Sequence, residues 1–238
     1  MTYFLYVLGL LPSIIWLAFY LRKDSHPESN RMVLKIFLFG VVSAAVAIIL
    51  EKSFRYGTKF LEDAGAINAI AAVFLGGALI EEYVKFLAVR LGAFRDKELD
   101  EPIDLILYMI ISALGFAALE NILVLSSLHP FLTGAKAVEA MLWRFVSATF
   151  LHALSSALVG YFLVLAFCRI KKKKWLIPLG IILSTLLHGL YNFSIMKADG
   201  FERYLIPLSI LVILYFFVSF AFKRTKRLEY LNADIARR

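Results

Sequence analysis

The chain has 238 residues, 61% of them hydrophobic and only 18% charged, with a mean hydropathy of +0.78. That excess of apolar residues rules out both a soluble globule of this size and a disordered chain. The single cysteine, Cys168, excludes an intramolecular disulfide framework. The formal charge of +8, in so apolar a chain, fits basic loops on one side of a membrane better than nucleic-acid binding.

The apolar runs are long and continuous, which favours helices over barrel strands that alternate across about 10 residues. A membrane helix needs about 20 mostly apolar residues. Seven segments are predicted on that measure: 3–21, 33–50, 68–90, 103–126, 145–168, 175–196 and 203–222. The expected fold is an all-α, polytopic integral membrane helical bundle forming a single transmembrane domain over 1–238. The first segment is not read as a signal peptide. Met1-Thr2-Tyr3 carries no positive charge, and no small-residue cleavage site precedes Arg22 and Lys23. Between the fourth and fifth spans, Lys136, Glu139 and Arg144 interrupt Ala137, Val138, Met141, Leu142 and Trp143, which predicts an amphipathic interfacial helix.

With these spans, 18 of the 26 lysines and arginines fall on one side and 7 on the other, with Lys85 inside a span. The positive-inside rule then places the N-terminus outside and the C-terminus in the cytoplasm, with 223–238 as a basic cytoplasmic tail. The run from Lys171 to Lys174 reads as topogenic, aided by anionic lipid headgroups.

A charge at the bilayer centre costs at least about 2.5–3.5 kcal/mol, so polar groups inside spans need a reason. The third span holds Glu81, Glu82 and Lys85, and the fourth holds Glu120 and Asn121. The fifth holds His152, Ser155 and Ser156, and the sixth holds His188 and Asn192. By contrast, Glu51, Asp104 and Arg169 lie near span ends, where they reach the interface. Glu81 and Lys85 are four residues apart in the favourable order for an ion pair. That pairing predicts Glu81 holding Lys85 and Glu82 being the freer carboxylate. From the outer face, Glu120, His152 and His188 lie about 9, 10 and 12 Å deep at 1.5 Å per residue, and Glu81 about 20 Å. The clustering favours a shared site opening to the extracytoplasmic side. Taken singly, each group has a plain structural alternative: a hydrogen-bonded core histidine, a serine bonded to its own helix, or small residues packing helices.

Four patterns occur in order on consecutive spans: Glu81-Glu82-Tyr83-Val84-Lys85, Phe116-Ala117-Ala118-Leu119-Glu120, His152-Ala153-Leu154-Ser155-Ser156 and His188-Gly189-Leu190-Tyr191-Asn192. Together they resemble the EExxK, FxxxE, HxxxS and HxxxD-or-N pattern of the PrsW family of intramembrane proteases, which is related to the CAAX-processing membrane proteases. The resemblance covers 66–196, the expected catalytic four-helix core. It implies a bacterial multi-pass protein of the cytoplasmic membrane, making a site-1 cut in a single-pass membrane protein near its extracytoplasmic side. An anti-sigma factor is the best-known substrate in that family.

Two mechanisms suit these residues. In one, His152, His188 and Glu120 hold Zn²⁺, with Glu81 or Glu82 as general base. In the other, no metal takes part: a glutamate and a histidine activate water, and His188 with Asn192 donates to the oxyanion. Lys85, Asn121 and Ser156 are expected to support the site. There is no HExxH signature. Two rival functions are a proton or cation relay transporter and a non-catalytic protein that binds a partner's transmembrane helix. The sequence carries no internal repeat of the transporter kind, and it leaves oligomeric state open.

Overall fold

A computed structural model describes residues 2–58, 66–128, 134–167 and 174–236, and among them every regular element is helical. In chain order these are α1 (Thr2–Leu21), α2 (Asn30–Gly57), α3 (Ala66–Val73), a π-helical segment (Phe74–Leu79), α4 (Ile80–Gly92), α5 (Pro102–Leu128), α6 (Gly134–Val146), α7 (Ala148–Phe167), α8 (Leu176–Lys197) and α9 (Glu202–Ala236). Six helical stretches are long and apolar enough to cross a membrane, where the sequence suggested seven. The difference is the third expected span. It is divided into α3 of 8 residues, a π segment of 6 and α4 of 13, none of which is long enough on its own to count as a membrane-crossing helix.

α5 is the axis of the bundle. It is apolar on every side, and 89% of its most hydrophobic stretch is buried, as expected of a helix with no polar face. It packs against α1, α2, α4, α7 and α9. Its approach to α2 depends on two glycines. A Cβ on Gly40 would overlap the Ser112 carbonyl, and one on Gly115 would overlap the Phe37 carbonyl. Small residues let membrane helices cross at backbone contact.

The α1–α2 and α4–α5 loops are tied together. Ser29 caps α2 by accepting from the Met32 amide at 3.1 Å, and its hydroxyl donates to Glu98 at 2.6 Å. Lys35 pairs with Asp96 at 2.7 Å, and that hydrogen bond holds the Asp96 carboxyl below its usual range. The Tyr108 hydroxyl donates to Glu28 at 2.6 Å.

α6 is the expected amphipathic helix. It buries Ala137 and Met141 against Leu5, Leu8 and Leu125 while Leu142 and Trp143 stay exposed. The segment read as a tail from 223 is not irregular where described, because α9 continues as one helix to Ala236. Cys168, Arg169 and residues 171–173 of the lysine run lie outside the described residues.

Candidate active site

The site forms where α4, α5, α7 and α8 meet, with the π segment leading directly into the Glu81-Glu82 pair. Such π turns interrupt helices most often at functional positions. This one packs close to α8: a Cβ on Gly189 would lie 2.5 Å from the Phe74 ring. The residue after His188 therefore has to be small.

Glu82 is the hub. It is completely buried and accepts from five donors. Its Oε1 takes Lys85 Nζ at 2.9 Å, Ser155 Oγ at 3.0 Å and His188 Nδ1 at 2.9 Å. Its Oε2 takes Ser156 Oγ at 3.1 Å and Ser184 Oγ at 3.0 Å. This reverses the sequence expectation, because Glu82 holds Lys85 most closely and Glu81 is the freer carboxylate. Glu81 Oε2 stands 3.5 Å from Lys85 Nζ, and its side chain is 12% exposed. The two glutamates share one partner. Lys85 lies three residues after one and four after the other, so both lean toward its ammonium.

This network assigns the histidine tautomers. A carboxylate only accepts, so His188 carries its proton on Nδ1 and presents the Nε2 lone pair. Lys85 Nζ lies 2.8 Å from His152 Nδ1 and donates to it. His152 therefore carries its proton on Nε2, which donates to Glu120 Oε2 at 2.9 Å. The free lone pair of His188 Nε2 lies 3.8 Å from Glu81 Oε2, and His152 Nδ1, which accepts from Lys85, lies 3.7 Å from the same oxygen. The imidazoles stand edge to face with centroids 5.1 Å apart. The Phe116 ring lies under the Lys85 ammonium at 4.4 Å, a cation–π contact that helps a buried charge.

One donor atom each from Glu81, His152 and His188 lies within 4.8 Å of the others, a grouping able to hold a metal ion. The expected metal set had Glu120 in place of Glu81. Glu120 lies instead on the far side of the His152 ring, where Arg144 Nη2 donates to its Oε2 at 2.7 Å. The separation in depth inferred for Glu81 disappears, because its carboxylate lies within 3.8 Å of both histidine rings.

Asn121 bridges outward, accepting from Arg144 Nε and donating to Thr149 at 3.1 Å. Ser156 supports Glu82 as expected of a hydrogen-bonding residue. Asn192 is half-buried and makes no hydrogen bond among the described residues. Sequence reasoning passed over Ser184 and Arg144. Ser184 precedes His188 by four residues, so the helical repeat places both on one face. Arg144 was read only as part of an interfacial helix, and its partner Glu120 is remote in sequence. Glu51 on α2 was dismissed as a span-end group, yet it lies within electrostatic reach of Glu81 and Glu120.

The fold and the site define a class: a polytopic membrane protein with a buried glutamate–histidine centre, of the composition that metal-dependent hydrolases use. Comparison with known proteins makes this specific. A family model described as PrsW family intramembrane metalloprotease matches residues 28–222. The chain is 31% identical to Protease PrsW of Geobacillus kaustophilus over 199 residues, 83% of this chain and 82% of the relative. It is 27% identical to Protease PrsW of Oceanobacillus iheyensis, covering 94% of this chain and 97% of the relative. Against Protease PrsW of Bacillus subtilis it is 29% identical, covering 94% and 95%. No solved structure matches significantly. The chain belongs to the PrsW family of intramembrane metalloproteases, and it is a multi-pass bacterial membrane protein with protease function.

Proposed function

We propose that this protease cuts single-pass membrane proteins near their extracytoplasmic side, as a site-1 endopeptidase, with an anti-sigma factor as the model substrate. The observation that carries the reading is the meeting of Glu81, His152 and His188 within the helical bundle. The charge bias of the loops supports the orientation, with the N-terminus outside and the C-terminus in the cytoplasm.

Two imidazole nitrogens and one carboxylate suit Zn²⁺, which takes His₂Glu sets in hydrolases and keeps a position open. Glu81, His152 and His188 are the residues that would hold it: both rings are oriented through their other nitrogens, His188 offers a free Nε2, and His152 Nδ1 would exchange the Lys85 ammonium for the ion. When bound, such an ion supplies Lewis acidity, polarising a carbonyl and making water more acidic. The remaining roles fall to this chain's own side chains. Glu82 orients His188 through Nδ1, and Glu120 orients His152 through Nε2. Glu120 keeps Oε1 without a protein hydrogen bond and has a side chain 36% exposed. On the far side of the His152 ring from the Glu81 grouping, it acts by holding His152 and Arg144 in place. Asn192, unpaired and one turn beyond His188, is free to donate to the substrate backbone.

The test is cleavage of a tagged single-pass substrate by purified protein in liposomes. Glu81→Gln, His152→Ala and His188→Ala should abolish the product while circular dichroism stays unchanged. Full cleavage by all three variants would refute the proposed centre. A cut on the cytoplasmic side of the substrate would refute the orientation.

A further inference from the structure

Away from the active site, a groove of about 470 Å³ opens between the C-terminal end of α1 and the second half of α9. Its walls are aromatic, with Phe19, Phe216 and Phe222 prominent, and Phe19 and Phe216 are exposed. Three lysines, Lys23, Lys223 and Lys226, lie at one end of it. They sit where the apolar parts of both helices finish, at the level of a membrane–water interface. None forms a salt bridge among the described residues; the ring contact of Lys23 with Phe19, at 4.8 Å, is to an aromatic face. Three lysines line one groove with no carboxylate partner among the described residues, a setting suited to an anion.

A second observation points the same way. Tyr20 lines the groove, and the residue is only 4% exposed. Its hydroxyl makes no hydrogen bond to any described residue and is not sealed in the interior, which leaves it able to donate into the groove. Tyr215, on the opposite wall, also brings a hydroxyl without a described partner.

From the joint polarity of this groove, we propose that it binds one anionic phospholipid. The phosphate pairs with Lys23, Lys223 and Lys226, the Tyr20 hydroxyl donates to the headgroup or glycerol oxygens, and the acyl chains run down the phenylalanine wall. A soluble phosphate leaves the aromatic wall unused, and a zwitterionic lipid leaves uncompensated positive charge. Basic pockets between membrane helices are known acceptors of anionic headgroups. The loop charge bias assigns this end to the cytoplasmic leaflet.

Native mass spectrometry of the full-length protein with an equimolar mixture of phosphatidylglycerol and phosphatidylcholine tests this. Wild type should retain phosphatidylglycerol preferentially, by about fivefold for each lysine engaged. The triple variant Lys23→Gln, Lys223→Gln, Lys226→Gln should lose that preference, and the triple Lys→Arg variant should keep it. Phe216→Ser should weaken retention of phosphatidylglycerol without creating a preference for phosphatidylcholine. Three results would overturn the proposal. The first is an unchanged preference in the glutamine variant. The second is full displacement of the lipid by soluble glycerol phosphate, which would make this a free-phosphate site. The third is a dimer that the same substitutions dissolve, which would make the groove a contact between copies.

Discussion

Replacing Glu82 by glutamine separates the stabilising carboxylate from the reacting one. The amide keeps the volume but not the charge, and its NH₂ faces donors that need an acceptor. Lys85, itself fully buried, loses its 2.9 Å carboxylate partner and keeps Glu81, at 3.5 Å, as the nearest negative charge beside its neutral contact with His152. Removing one partner of a buried ion pair costs about 3–5 kcal/mol. The donors on Ser155, Ser156, Ser184 and His188 compete for one remaining oxygen, adding about 1 kcal/mol for each one left unmet. Glu81→Gln should cost far less, because Glu81 is only a distant partner of Lys85. SDS titration of both variants, followed by circular dichroism, gives the comparison. Glu82→Gln should unfold well before wild type, whereas Glu81→Gln should stay close to it and yet be inactive. Adding Lys85→Met to Glu82→Gln removes the uncompensated charge, so the double variant should recover part of the loss. If Glu82→Gln matched wild type in stability, or if the double variant were worse than additive, the hub assignment would be wrong.

Further expectations concern other parts of the fold. Glu120→Gln and Arg144→Gln should each lower cleavage about 10–100-fold, as for groups that orient a ligand, with the fold retained; cleavage rates in liposomes measure this. A chelator should remove activity and Zn²⁺ should restore it, while His188→Ala should also lower the metal content of purified protein, read by mass spectrometry. Gly115→Val should cost about 1–3 kcal/mol or more through overpacking against the Phe37 carbonyl, whereas Gly57→Ala, with nothing near its Cβ, should be neutral in the same melt. Burial holds the Glu28 carboxyl above its ordinary range, partly offset by the Tyr108 hydrogen bond. Its contribution to stability is therefore complete below the ordinary carboxylate value and is lost as pH rises through the raised one. Glu28→Gln should flatten that part of the profile of melting temperature against pH.

The membrane class was legible in the sequence, and the candidate residues that the fold brings together stand out there, because the bilayer penalises charge. Glu81, Glu82, Lys85 and Glu120 stand out against apolar runs, and the four-residue spacings assign them to helix faces. What stayed hidden depended on three-dimensional approach. The roles of Glu81 and Glu82 were exchanged because Ser155, Ser156, Ser184 and His188 come from α7 and α8, which no local spacing reveals. Depth along a helix says nothing about which side of the His152 ring Glu120 meets. Arg144 was missed because an arginine on an interfacial helix looks the same whether it faces headgroups or reaches a carboxylate. The third of the seven expected spans is the one the π segment divides, and a break in helix type leaves no mark on an apolar run.

The central claim is that Glu81, His152 and His188 form the cleaving centre. It is tested most directly by one sample: purified protein in liposomes, assayed together for bound metal and for cleavage of a single-pass substrate. The account predicts that Glu81→Gln and His188→Ala lose metal and cleavage together, with circular dichroism unchanged. Cleavage at the wild-type rate by metal-depleted Glu81→Gln would contradict it.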